Sequence, residues 1–162
     1  MKKPLVNPLT PNNKELKELV EFYNETLGFC PNSIKTMFIR PQIAFGFISL
    51  NKAVMENKGK LSSKLKRLIG FIASTVSGCK YCQAHTIRAA ERYGASDGQL
   101  IDVWNFRNSK NFNNKEKIAL EFALAASSIP NGVNDRLSKT LREYWDDGEI
   151  VEMLGVISLF GF

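Results

Sequence analysis

Two stretches of this 162-residue chain, fifty positions apart, carry one pattern: Ser96-Asp97-Gly98-Gln99-Leu100-Ile101-Asp102-Val103 and Asp146-Asp147-Gly148-Glu149-Ile150-Val151-Glu152-Met153. At the same offset, Arg67-Leu68-Ile69-Gly70-Phe71-Ile72-Ala73 lies over Lys117-Ile118-Ala119-Leu120-Glu121-Phe122-Ala123. Apolar residues recur at helical spacing within both copies and along most of the chain, whereas strand-like alternation is hard to find. The pattern predicts an all-α fold with an internal duplication of a helical unit, in a single domain over residues 1–162. Two copies are too few to make a solenoid.

The stop and start signals divide the chain further. A helix over Asn13–Leu27 places Leu16, Leu19, Val20, Tyr23 and Leu27 inward and ends at Gly28. Ser33 is placed to cap a short helix through Arg40, and Pro41 suits the first turn of the next, whose inward stripe reads as Ile43, Phe47, Leu50 and Val54. Ser62 or Ser63 caps a helix with Leu65, Leu68, Ile69, Ile72 and Val76 on one side, ending at Gly78. A further helix runs to Tyr93 and stops at Gly94. The last ten residues, Met153 to Phe162, are apolar nearly all round and call for cover on every side, from the domain centre or from another subunit.

Charge excludes little. The net +6 comes with a lysine-rich run, Lys58, Lys60, Lys64, Lys66 and Arg67, without interleaved aromatic residues, so a solvated helix face is expected and nucleic-acid binding is not. No apolar run reaches the 18 residues or so of a membrane span, and the basic first residues, Met1 to Pro8, have no apolar core of secretory length behind them. The expectation is a cytoplasmic chain in a reducing compartment, with no membrane partner. Continuation of the natural chain past Phe162 stays open.

Chemistry concentrates in Cys79-Lys80-Tyr81-Cys82-Gln83-Ala84-His85, which holds two of the three cysteines and the single histidine. In a reducing compartment a Cys-x-x-Cys pair reads as redox-active or metal-binding. Cys79 falls in the first turn of its helix, where free backbone N–H groups favour a thiolate. Steps of three residues rotate about 300° around a helix, so Cys79, Cys82 and His85 walk along one side with Cys82 in the middle. The arrangement suits thiolate attack on a peroxide or disulfide and resolution by the second thiol. Two alternatives remain at this point. One is a zinc site using Cys79, Cys82 and His85, with Cys30 as a fourth candidate ligand. The other is a pair of small packed thiols beside a satisfied histidine, in a protein that is a structural or redox-sensing oligomer. Cys30, beside Pro31, otherwise reads as an unpaired thiol. No glycine loop for phosphate and no flavin or haem signature is present, so no cofactor is expected.

The stretch Ser77-Gly78-Cys79-Lys80-Tyr81-Cys82-Gln83-Ala84-His85-Thr86, after an apolar helix, resembles the alkylhydroperoxidase D-like branch of the carboxymuconolactone decarboxylase family. Pro31-Asn32-Ser33, followed by Arg40-Pro41, is similar to its peroxidase-related members. The resemblance implies an all-α fold with an internal duplication, a trimer or hexamer, a peroxide or disulfide as substrate, and an external dithiol as reductant. It implies Cys82 as the peroxidatic thiol, Cys79 as the resolving thiol and His85 as part of a proton relay. Lactone decarboxylation is disfavoured, because the decarboxylase members do not rely on such a pair. Two positions depart from the better-known members: their histidine falls where this chain has Thr86, and a glutamate twelve residues before the first cysteine is Arg67 here. A guanidinium cannot accept a thiol proton. It can hold a thiolate electrostatically, or it can be a surface arginine.

Overall fold

In the computed structural model the structure describes residues 4–56 and 59–161, with the side chains of residues 26 and 27 outside the description. The inward assignment of Leu27 and the placement of Lys58 therefore lie outside the described residues. The described chain is helical, without strands: α1 (Lys14–Leu27), α2 (Asn32–Met37), α3 (Pro41–Met55), α4 (Ser63–Val76), α5 (Lys80–Arg92), α6 (Asp97–Asp102), α7 (Asn114–Ser127), α8 (Asp135–Tyr144) and α9 (Asp147–Gly161), with a 3₁₀ turn at Val103–Asn105. Among the described residues no helix is long and apolar enough to cross a membrane. The chain divides into two compact units, Met1–Lys52 and Ala53–Phe162.

In the first unit, Asn13 caps α1 through a bond from the Leu16 N–H, and Gly28 ends it with φ +83°. Leu16 and Tyr23 are buried with Ile34, Phe38, Ala44, Ile48 and Cys30. Two expectations are corrected here. Ser33 lies inside α2, which starts at Asn32 with Pro31 at the cap position and no side-chain cap bond, and which ends at Met37. On α3 the buried residues are Ala44 and Ile48, whereas Ile43 and Leu50 are 52% and 50% exposed. The mostly apolar run from Ile43 to Leu50 supports more than one stripe, and tertiary packing selects the one led by the smaller Ala44.

The second unit is organised around α4, which packs against α5, α7 and α9. Ser62 caps it, and Leu65, Leu68, Ile69 and Ile72 are all buried. Each such side chain contributes about 1.5–3 kcal/mol relative to exposure, as an upper estimate. Gly70 admits the Phe160 ring of α9, because a β-carbon there would meet that ring at 2.7 Å. Nine of the fourteen residues of α4 are buried, among them Lys66 and Arg67 at 1% and 7% exposure. The solvated-face reading of the lysine-rich run is thus overturned for these two. The Lys66 ammonium donates to the carbonyls of Val54 and Glu56 at 2.9 Å each and lies 3.7 Å from a Glu152 oxygen. It satisfies the terminal carbonyls of α3, where the helix dipole is negative.

The duplication is visible in the packing. Ser96 and Gln99 form a reciprocal capping box that opens α6. Fifty residues on, the Asp146 N–H donates to Glu149 Oε2 at 2.8 Å and the Glu149 N–H to Asp146 Oδ1 at 2.9 Å, opening α9 in the same way. The order α4–α5–α6 recurs as α7–α8–α9. Met153, Val156 and Leu159 of α9 are buried, but Val151 and Leu154 stand 66% and 43% exposed, so within one chain the terminal helix is covered on one side only.

Lys66→Met keeps the apolar stem and removes the ammonium from its three partners. We predict a loss of about 2–4 kcal/mol in urea unfolding, because two part-buried carbonyls and a partly buried carboxylate lose their cation. Lys60→Met, which breaks only an exposed pair with Asp146, leaves the midpoint unchanged within measurement scatter.

Candidate active site

The candidate site is built on the turn between α4 and α5. Gly78, with φ +73°, takes a left-handed conformation that a side chain would strain. Its N–H donates to the Thr75 carbonyl at 3.1 Å, and the next N–H, that of Cys79, donates to the Ser74 carbonyl at 3.0 Å. This closes α4 in a Schellman arrangement. Cys79 is at the same time the N-cap of α5, its Sγ accepting the Cys82 N–H at 3.2 Å. Thus Cys79 ends one helix with its backbone and begins the next with its sulfur, where free N–H groups and the helix dipole favour negative charge.

Cys79 and Cys82 lie at disulfide-bonding distance, with α-carbons 5.3 Å apart. Both are half-buried at the protein surface. The cap position of Cys79 differs by one residue from its expected place in the first turn, and the difference brings its sulfur over the Cys82 N–H. His85, one turn beyond Cys82, is half-buried and packs on Tyr81 with ring centroids 4.3 Å apart. Burial pulls its pKa below the ordinary value of 6.5, so the ring is neutral at neutral pH and can accept a proton.

Thr86, where the better-known family members have histidine, is buried and turns its hydroxyl to the Cys82 and Gln83 carbonyls at 2.8 and 3.1 Å. Residue 86 packs inward near Gly70, while residue 85 stands on the flank of α5 beside Tyr81. Arg67 is brought elsewhere. Its guanidinium lies 3.9 Å over the Tyr93 ring and donates to the Ser63 carbonyl at 3.0 Å. Burial lowers its pKa, with Tyr93 acting in the opposite direction. Tyr93 follows Cys82 by eleven residues, which is about 16 Å of helix rise, so this contact draws the guanidinium towards the end of α5 away from the cysteine pair.

Cys30 is free and buried in the first unit, near Tyr23, and burial pushes its thiol pKa up, against a lowering by Lys35. Among the described residues no group of three or more histidine, cysteine, aspartate or glutamate side chains could hold a metal ion. Sequence reasoning overlooked Gln83, whose side-chain amide donates to the Ser74 carbonyl at 3.2 Å. A glutamine beside a cysteine carries no signal of its own until the turn geometry is known.

The family model for the carboxymuconolactone decarboxylase family matches residues 41–125, more than half of the chain. The chain belongs to that family. Over 117 residues it is 32% identical to the uncharacterized protein YnjA of Escherichia coli (strain K12), a match covering 71% of this chain. The chain spans 64% of the length of that curated relative. The crystal structure of the debrominase Bmp8 superposes with a TM-score of 0.90 at 29% identity, covering 99% of this chain and 86% of that one. A cysteine-to-alanine variant of the same enzyme in complex with 2,3,4-tribromopyrrole gives 0.90 at 28% identity with the same coverage. An alkylhydroperoxidase AhpD core, a peroxidase-related protein from Ralstonia eutropha JMP134, superposes at 0.84 with 20% identity over 99% of this chain and 87% of that one. At that identity the last likeness shows the fold.

A depressed histidine pKa means that the folded chain resists protonation at His85. The linked stability is fully present above 6.5, the ordinary value, and is lost as pH falls through it towards the folded-state pKa. We expect the imidazole NMR titration to have its midpoint below 6.5, and His85→Gln to reduce the acid-side loss of stability in denaturation curves collected between pH 7.5 and 5.

Proposed function

We propose that this protein is a thiol-dependent oxidoreductase that reduces hydroperoxides through the Cys79–Cys82 pair. The observation that carries this reading is the meeting of the two sulfurs at bonding distance on the first turn of α5. In the dithiol form, Cys82 gives its proton to a neutral His85 and attacks the peroxide oxygen. The O–O bond breaks, the alcohol leaves with a proton, and Cys82 becomes a sulfenic acid. Cys79 condenses with it, releasing water and forming the disulfide. An external dithiol then attacks the Cys82 sulfur, and Cys79 departs as a thiolate stabilised by the Cys82 N–H. The net change is one peroxide and one external dithiol converted to alcohol, water and an external disulfide. Such a cycle suits a reducing compartment such as the cytoplasm, and a second copy of the chain would cover Val151 and Leu154 in a homo-oligomer.

A second reading has its own support. The structural relatives above 25% identity include a debrominase, and in this chain Tyr81, 44% exposed, packs with His85 as an aromatic surface next to Cys82. A planar bromoarene can stack on such a surface. The balance would be dithiol plus aryl bromide giving disulfide, arene, bromide and a proton.

The peroxide reading places the first attack on Cys82. With dithiothreitol as reductant, we expect Cys82→Ser to lose at least about a hundredfold in turnover of cumene hydroperoxide. Cys79→Ser should still form a sulfenic acid, trapped by dimedone and located by mass spectrometry, but should not cycle. Undiminished turnover by Cys82→Ser sinks the assignment. Bromide release from 2,3,4-tribromopyrrole without peroxide consumption selects the second reading.

A further inference from the structure

The carbonyl oxygen of Ser74, in the last turn of α4, accepts from three donors: the Cys79 N–H at 3.0 Å, the Ser77 hydroxyl at 3.2 Å and the Gln83 side-chain amide at 3.2 Å. The first two belong to the closing turn of α4. The third crosses from α5, from the residue directly after Cys82. Cys79 and Gln83 therefore hang from one oxygen, on either side of Cys82.

We infer that Gln83 is a positioning residue for the Cys79–Cys82 pair, tethering the first turn of α5 to the carbonyl that fixes Cys79 and so setting how readily the dithiol closes. The inference rests on the pair cycling as proposed above. A helix N-terminus lacks intrahelical partners for its first N–H groups, so its first turn is restrained by bonds from outside the helix. Closure of the disulfide requires the Cys82 sulfur to sit against the Cys79 sulfur, and each restraint on the relative position of the two residues raises the effective concentration of one thiol at the other. The Cys79 side is held by the Schellman turn. On the Cys82 side, Thr86 bonds within α5 and cannot fix the helix against α4 through its hydroxyl. Gln83 supplies a bond between the two helices at this level.

The test is the equilibrium between the protein disulfide plus two glutathione thiols and the protein dithiol plus one glutathione disulfide, across a series of glutathione ratios. Alkylation and intact mass read the fraction oxidised. Gln83→Met keeps the length and removes the donor; Gln83→Glu keeps the shape and sets a carboxylate against the carbonyl. Both are expected to favour the dithiol by about three- to tenfold, the range that one hydrogen bond supplies. That corresponds to a potential about 15–30 mV less reducing. Ser77→Ala, which removes a donor to the same oxygen from within α4, should titrate within twofold of wild type. The inference is overturned if Gln83→Met titrates with wild type, if Gln83→Glu alone shifts, or if Ser77→Ala shifts as far as Gln83→Met. A wild-type pair that closes in glutathione yet turns over neither peroxide nor aryl bromide removes the functional reading instead, and leaves the equilibrium comparison standing.

Discussion

The carbonyl of Ser74 and the N–H of Cys79 make the hydrogen bond on which the site depends. It closes α4 one residue after Gly78 turns the chain, and it leaves the Cys79 side chain at the head of α5. A sulfur in that position accepts the Cys82 N–H and lies against the Cys82 sulfur without further backbone movement. The chemistry of the pair is thus a product of helix termination. One turn ends a buried helix and begins a half-exposed one, and the thiols occupy the seam.

Burial and exposure are divided between the two helices of that turn. The first, α4, is the hub of the second unit; it buries apolar side chains, admits the Phe160 ring at Gly70, and spends a lysine on the terminal carbonyls of α3. Its packing places the Ser74 carbonyl. The second, α5, has few buried residues and presents Cys82, Tyr81 and His85 along its outer flank. The α7–α8–α9 copy keeps the helix order and the capping box but carries no thiol or imidazole, so within the repeat the cysteine pair and the histidine belong to the α4–α5–α6 copy.

Signals that act within a few residues were legible in the sequence. Asn13, Ser62, Gly28, Gly78 and Gly94 mark helix ends because caps and left-handed glycines work locally. The fifty-residue repeat was legible because the capping chemistry of Ser96–Gln99 and Asp146–Glu149 is written in adjacent residues. The cysteine pair was legible through its spacing. What the sequence concealed depends on distant partners. Lys66 and Arg67 look like surface cations until the carbonyls at the end of α3 and the Tyr93 ring come to them. The buried stripe of α3 follows Ala44 and Ile48, which periodicity could not choose over Ile43 and Leu50. Helix α8 was not anticipated, and Gln83 acquires a role only once Ser74 is seen to face it.

The most direct test of the central claim is a count of alkylatable thiols by intact mass in denaturant, before and after brief treatment with one equivalent of peroxide. For protein first reduced and freed of reductant, the account predicts three alkylated cysteines beforehand. Afterwards it predicts one, at Cys30, with the unalkylated mass two hydrogens lower, a peptide map linking Cys79 to Cys82, and full reversal by an external dithiol. Three alkylated thiols after treatment, or a disulfide that includes Cys30, would contradict it.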